Sequence, residues 1–296
     1  MPAWFPIRFF FLLSCFVFLA GVGAPKLCAA ERVQPVRVSS FSTILTELAR
    51  EVGGDQVRVT GHVRPDTDPH DYEPTPGDLK VVGTADLVLV SARNLEGYVG
   101  RLERGVVDKR VLLAVGDRLK AARALDDPHW WHSIECMKEA AALVRDALAA
   151  LRPEARPGFE QRAAAYRERL QSLQRWARTE VAKIPKDRRA FVTAHDAFGW
   201  LARENGLELI ALEGFSGGGQ PSSKKIAEII GRIRQKKVRA IFPESLDNPK
   251  VLEQISRESG ARVGGVLYAD GLGTGSAATY EGMYRENVKA LVEALK

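Results

Sequence analysis

Five histidines are the residues best suited to chemistry in this 296-residue chain: His62, His70, His129, His132 and His195. Three of them fall at or just beyond the end of a strand-like pattern. His70 lies in Asp68-Pro-His-Asp-Tyr-Glu-Pro74, His129 in Asp127-Pro-His-Trp-Trp-His132, and His195 in Thr193-Ala-His-Asp-Ala-Phe-Gly-Trp200. Asp270, in Tyr268-Ala-Asp-Gly-Leu272, takes the same place after the last strand pattern, although an Asp before Gly is also an ordinary turn residue. Three imidazoles and one carboxylate make a four-ligand set suited to zinc, and also to manganese or ferrous iron. Four protein ligands close the coordination sphere, whereas a catalytic zinc keeps one position open for water, so the set favours holding an ion over using it. In both Asp-Pro-His triplets the proline fixes the backbone just before the histidine and the aspartate can orient the loop. Glu73 and Glu244 could accept hydrogen bonds from ligand imidazoles or serve in salt bridges. Trp130, Trp131 and Trp200 could shield the site from water or simply fill the core.

The elements that must position these side chains are legible from periodicity. From Val36 onward, β-rich runs at Val36 to Phe41, Val57 to Val63, Asp86 to Ser91 and Arg110 to Val115 predict strands, with a helix at Thr43 to Val52. Ser133 to Leu151 predicts a helix with Ile134, Met137, Val144, Leu148 and Leu151 on one stripe. A second half begins near Arg189, with strands at Ala190 to Ala194, Leu207 to Leu212, Val238 to Pro243 and Arg262 to Ala269. Helices at Asp196 to Asn205, Ser222 to Lys237, Pro249 to Ser259 and Thr279 to Lys296 alternate with them. This alternation predicts an α/β fold with parallel sheets covered on both faces, and ligands in such folds sit beyond the carboxyl ends of the strands. Between the halves, Phe159, Ala163, Tyr166, Leu170, Leu173, Ala177, Val181 and Ile184 recur at spacings of 3 and 4. They predict one helix of about 28 residues, opened by Pro157 and stopped by Pro185, a rod of about 42 Å that would join two lobes and restrict hinging.

Composition narrows the class. The chain is 45% hydrophobic and 27% charged, with a mean hydropathy of -0.16, which excludes disorder and a polytopic membrane protein. Residues 9–24 carry no charge, follow Arg8, and lead to small residues at Cys28, Ala29 and Ala30. This pattern predicts a secretory signal peptide cleaved after Ala30. The run is shorter than the roughly 20 residues a spanning helix needs. A lipobox at Cys15 falls mid-run and one at Cys28 is poorly formed, so a lipid anchor is not expected. Taking Arg8 and Lys26 from the 43 basic residues leaves 41 against 37 acidic ones, a net charge of +4 on the mature chain. That charge is not gathered with aromatics, so no nucleic-acid partner is expected. Cys136 alone survives cleavage and reads as a small helix-face residue.

Taken in order around the long central helix, the four motifs resemble those of the periplasmic zinc- and manganese-binding solute-binding proteins of ABC transporters. The resemblance covers nearly all of the mature chain. It implies two lobes, each a parallel sheet flanked by helices, joined by one long rigid helix with the metal site in the interlobe cleft. The lobes would span residues 31–155 and 186–296, with the connecting helix at 156–185. It further implies His70, His129, His195 and Asp270 as metal ligands, a membrane permease as partner, a monomer and a periplasmic location. Two departures stand out. His132 occupies a position that is usually apolar in the family, where it could compete with His129 or lie behind it. Residues 71–128 contain no histidine, unlike the His-rich loop of many zinc-specific members. An imidazole at the third position, His195, favours zinc over manganese.

An exported zinc hydrolase would use Asp270 or Glu244 as general base, but the chain has neither an HExxH helix nor a GxSxG elbow. A metal-dependent adhesin would use the same fold and could coexist with transport. His62, inside a predicted strand, is expected to be structural. The run Gly214-Phe-Ser-Gly-Gly-Gly-Gln220 lacks the ending of a P-loop and reads as a flexible loop, one that could face the membrane partner. Capture needs neutral imidazoles, so affinity is expected to fall as the pH drops through about 6.5.

Overall fold

The structure, a computed structural model, describes residues 1–4, 34–65, 67–105, 112–214, 222–245 and 249–296. Residues 5–30 of the expected signal peptide with its cleavage point, both lipobox cysteines, residues 215–220 of the glycine-rich run, and Arg110 and Val111 of the fourth expected strand lie outside the described residues.

Strands β1 (Val36–Ser40), β2 (Val57–Gly61), β3 (Leu87–Val90) and β4 (Leu112–Ala114) form a first sheet in the order β2-β1-β3-β4. Strands β5 (Ala190–Thr193), β6 (Glu208–Ala211), β7 (Ala240–Phe242) and β8 (Arg262–Val263) repeat that order as β6-β5-β7-β8. Every pair is parallel, with Val38 set between Val59 and Leu87, and Val192 between Ile210 and Ile241. In both sheets the chain leaves the first strand on one side and returns on the other. The crevice of each sheet therefore opens at the carboxyl ends of its central strands.

Helices α1 (Thr43–Gly53), α2 (Pro76–Val82), α3 (Val99–Gly105) and α4 (Val115–Arg118) accompany the first sheet, and α5 (Ile134–Leu151) and α6 (Arg156–Val181) follow it. Helices α7 (Gly199–Asn205), α8 (Ser223–Lys236), α9 (Pro249–Ser259) and α10 (Tyr280–Leu295) belong to the second. Both faces of both sheets are covered, which explains why β3 reads as an unbroken apolar run. Leu87 and Leu89 face the large central core, whereas Val88 and Val90 face a smaller cluster with Phe41, Tyr98 and Leu102. In β5, likewise, Phe191 turns to the central core and Val192 to a cluster with Ile229 and Ile233 of α8.

The central helix α6 has 26 residues, and all eight apolar positions of the expected stripe, from Phe159 to Ile184, are buried. The stripe belongs to a core shared by α1, α5 and α10, so one apolar body runs from the first sheet to the second. At the surface, Arg169 of α6 pairs with Glu51 of α1 and, at 2.8 Å, with Glu281 of α10. The helix thus joins two lobes, as the periodicity predicts.

The main departure is the last strand. Expected to run to Ala269, it stops at Val263, because Gly264 and Gly265 follow. A Cβ on Gly264 would lie 2.5 Å from the Phe242 ring, so the chain can pass there only without a side chain. Residues 264–270 continue as irregular backbone, joined to β7's extension by a single bridge between Glu244 and Leu267.

The buried stripe of α6 makes a stability prediction. Leu170→Ala in metal-free protein should lower the free energy of unfolding in urea by about 2–5 kcal/mol. A loss well under about 1 kcal/mol would contradict its place in the shared core.

Candidate metal centre

His70 and His129 come from loops beyond the first sheet, and His195 and Asp270 from beyond the second. One donor atom from each of the four lies within 4.8 Å of all the others. Asp270 Oδ1 is 3.5 Å from His70 Nε2, 3.4 Å from His129 Nε2 and 3.5 Å from His195 Nε2, and the Nε2 atoms of His70 and His129 are 3.2 Å apart. Ligands about 2.05 Å from a tetrahedral zinc are separated by about 3.3 Å, so these spacings match the edges of such a site. The side chains are nearly dry: His129 is fully buried, and His70, His195 and Asp270 are 8%, 7% and 10% exposed. Solvent reaches Asp270 through a small opening bordered by Thr43, Arg64, Thr67 and Ser245.

The Asp-Pro-His triplets fold alike. Asp68 Oδ1 accepts the His70 N–H at 2.8 Å, and Asp127 Oδ1 accepts the His129 N–H at 2.8 Å. Asp127 goes further, because the same oxygen lies 2.8 Å from His129 Nδ1. Glu244 does the equivalent for His195, accepting its backbone N–H at 3.0 Å and facing its Nδ1 at 2.5 Å. A carboxylate on Nδ1 keeps the hydrogen there and turns the Nε2 lone pair toward the centre. Glu73, the other candidate acceptor, pairs with Arg101 at the surface.

His132 is not in the group. Its Nε2 is 2.8 Å from the carbonyl of Ala269, its Nδ1 is buried without a hydrogen-bond partner, and burial pushes its pKa down to about 3. It is therefore neutral and donates through Nε2 to the residue preceding Asp270. Trp131 Nε1 donates to the same carbonyl at 2.9 Å. Trp200 Nε1 reaches the Asp127 carbonyl at 3.1 Å and Trp130 Nε1 the Ser91 carbonyl at 3.2 Å. The three tryptophans thus fill core and also hold the loop backbones that carry the site.

Several positioning residues escaped the sequence reading. Asn287 of α10 accepts the Tyr268 N–H at 2.8 Å and donates to the Tyr268 carbonyl at 2.9 Å, standing in for the missing strand partner two residues before Asp270. An Asn among the apolar stripe positions Tyr284, Val288 and Leu291 was the available signal, and the structure buries it completely. Thr43 Oγ1 accepts the Leu272 N–H at 2.8 Å. After β3, Ala92, Arg93 and Asn94 all have positive φ, near 60°, a turn that costs about 1–2 kcal/mol per residue. Glu96 supports it by accepting the N–H groups of Ser91 and Ala92 at 2.7 and 2.8 Å, its carboxyl raised by burial to about 7. The turn sends the Arg93 guanidinium to the carbonyls of Leu125 and Asp127, bracing the His129 loop.

The hydrolase reading fails on this geometry. Both Glu244 oxygens face His195, and Asp270 Oδ1 faces three imidazoles, so four protein donors converge where a hydrolytic centre would keep a coordination position open. The molecule belongs to the class of two-lobe metal-binding solute-binding proteins. The ZnuA family, zinc-uptake complex component A periplasmic, matches residues 38–294. Manganese-binding lipoprotein MntA of Bacillus subtilis is 31% identical over 277 residues, 89% of this chain and 90% of MntA. Zinc-binding protein TroA of Treponema pallidum is 32% identical over 280 residues, 90% of this chain and 91% of TroA. The solved structure of TroA superimposes with a TM-score of 0.82 at 30% identity, covering 89% of this chain and 99% of TroA. Iron-binding protein YfeA of Yersinia pestis is 28% identical over 272 residues, 89% of this chain and 88% of YfeA. The chain therefore belongs to the ZnuA family, whose members are extracytoplasmic metal-binding components of ABC metal uptake and not enzymes.

Electrostatics in the metal-free site moves the expected pH window. Burial opposes charge on His129 and His195, but Asp270 with Asp127 raises the first, and Asp270 with Glu244 raises the second to about 11. Burial disfavours the Asp270 carboxylate too, yet the three imidazoles hold its pKa well below the usual range. Below their raised values the imidazoles keep protons that an ion must displace, so affinity should climb with pH well above 6.5. Calorimetry at pH 7.5 in buffers of different ionisation enthalpy should find about one or more protons released per zinc bound, with roughly a tenfold gain in affinity per pH unit for each proton. No proton release at pH 7.5 would contradict the shifts.

Proposed function

We propose that His70, His129, His195 and Asp270 together bind one divalent transition-metal ion, zinc first and manganese second, with ferrous iron also accommodated. The protein carries that ion through the periplasm to the membrane permease of an ABC importer. The supporting observation is the single carboxylate oxygen held 3.4–3.5 Å from three imidazole nitrogens, two of which have their Nδ1 atoms against carboxylates. Three imidazoles favour zinc over manganese in the general order of divalent affinities, and a four-donor dry pocket suits an ion that accepts tetrahedral geometry. The relatives' names include zinc, manganese and iron, so the preference rests on the donor set alone.

The reading extends to the whole chain. Residues 1–30 export it and are cleaved after Ala30, and the mature protein works as a monomer with no nucleic-acid partner. The first lobe spans residues 31–155, the connecting helix 156–185 and the second lobe 186–296.

Titration of chelator-stripped residues 31–296 with zinc and with manganese, separately and in competition, should give one ion per chain and tighter zinc. His70→Ala and His195→Ala should each weaken zinc by at least about a hundredfold, as loss of one of four ligands removes a large part of the binding free energy. Unchanged affinity in either variant would remove that residue from the site. The intact mass of protein recovered from a bacterial envelope should correspond to a chain beginning at Glu31; a diacylglycerol adduct on Cys15 or Cys28 would show a lipoprotein instead.

A further inference from the structure

His62 has no part in the metal centre, yet the structure gives its ring three partners. It is the first residue after β2, and its side chain is 2% exposed. Its Nδ1 lies 2.8 Å from Asp78 Oδ1, its Nε2 lies 2.7 Å from Ser39 Oγ in the central strand β1, and its ring stacks on Phe41 with centroids 4.5 Å apart. Asp78 also accepts the Thr75 N–H at 2.8 Å, the Thr75 hydroxyl at 2.6 Å and the Tyr72 hydroxyl at 2.9 Å. Burial raises the Asp78 carboxyl, but these donors outweigh it and bring it to about 2. An ionised carboxylate only accepts, so His62 Nδ1 carries the hydrogen, and in the neutral ring Nε2 then accepts from the Ser39 hydroxyl.

Ser39, His62 and Asp78 have the connectivity of a hydrolytic triad. Ser39 is fully buried within β1, however, so no substrate carbonyl can reach it. What the chain of bonds does is mechanical. His62 and Asp78 stand at the two ends of the loop that carries His70, and their bond closes it at the base. Tyr72, two residues beyond His70, is tied to the same carboxylate. An open loop of this length samples many conformations, and each closure removes part of that freedom before the ion arrives.

We propose that His62 is a positioning residue for the first ligand loop: the chain Ser39, His62, Asp78 and Tyr72 fastens the loop bearing His70 to the central strand of the first sheet and sets how long the site retains its ion. This rests on His70 being a ligand.

The experiment measures zinc dissociation into excess chelator for H62L, H62Q, S39A, H70A and the double variant H62L/H70A. Partners that touch a ligand directly change metal affinity by about 10–100-fold, so His62, acting through further bonds, should speed zinc release by about threefold to tenfold when replaced by leucine. H62Q keeps a donor for Asp78 and an acceptor for Ser39 and should restore release to within about twofold of the parent protein. S39A should move release in the same direction as H62L but less, which keeps the test open if H62L folds poorly. In the H70A background, H62L should add nothing. If H70A speeds release and H62L and S39A do not, the positioning role is wrong while the ligand assignment stands. If H62L weakens the H70A protein further, the effect is general damage and the proposal falls. If H70A itself leaves release unchanged, the ligand assignment fails first.

Discussion

Three imidazole nitrogens aimed at one carboxylate oxygen in a nearly dry pocket impose the constraint that the rest of the molecule serves. Lone pairs this close repel unless a cation or protons stand between them. Without an ion, the carboxylates Asp127, Asp270 and Glu244 favour protons on His129 and His195. With an ion, those protons must leave. The second carboxylate behind His129 and behind His195 therefore has two effects. It fixes the tautomer that presents Nε2, and it makes occupancy depend on pH over a wider range than free histidine would.

Such a site needs four loops held to within a few tenths of an ångström, and the means are mostly backbone hydrogen bonds from buried side chains. Trp131 and His132, from the loop of one lobe, both end on the carbonyl before Asp270 in the other. Trp200 crosses in the opposite direction to the Asp127 carbonyl. These bonds lie where water is scarce, so losing one would leave a buried polar group unsatisfied. The two lobes are also joined through the continuous apolar core along α6 and the Arg169 pairs to α1 and α10. A protein built this way is suited to holding an ion in a formed pocket.

The elements were largely legible in the sequence because their periodicity is local. The seven stripe positions within α6 and Ile184 just past its end are all buried, and β3 reads as LVLV because helices cover both of its faces. Helix starts are fixed locally as well: Ser42, Ser133, Ser222 and Thr279 each cap a helix through the side chain. The last strand was overestimated because Arg262 to Ala269 is rich in β-formers, and the pattern could not weigh the contact between Gly264 and the Phe242 ring. Glu73 and Glu244 looked alike in sequence, and only their surroundings separate them. One faces Arg101 at the surface, the other faces the buried His195 imidazole.

By itself the sequence determined which side chains could bind a metal and on which kind of loop each lies, because Asp-Pro-His spacing, strand ends and helix stripes are properties of neighbours along the chain. Tertiary structure decided the rest. It set His129 in the centre and His132 behind it, chose Asp127 and Glu244 as the carboxylates on Nδ1, and brought Asn287 to Tyr268 and His62 between Ser39 and Asp78. Apart from Asp127 and His129, two positions apart, these contacts join residues at least 16 positions apart along the chain. Their distances and angles depend on how two sheets and a helix pack, and no local pattern encodes that packing.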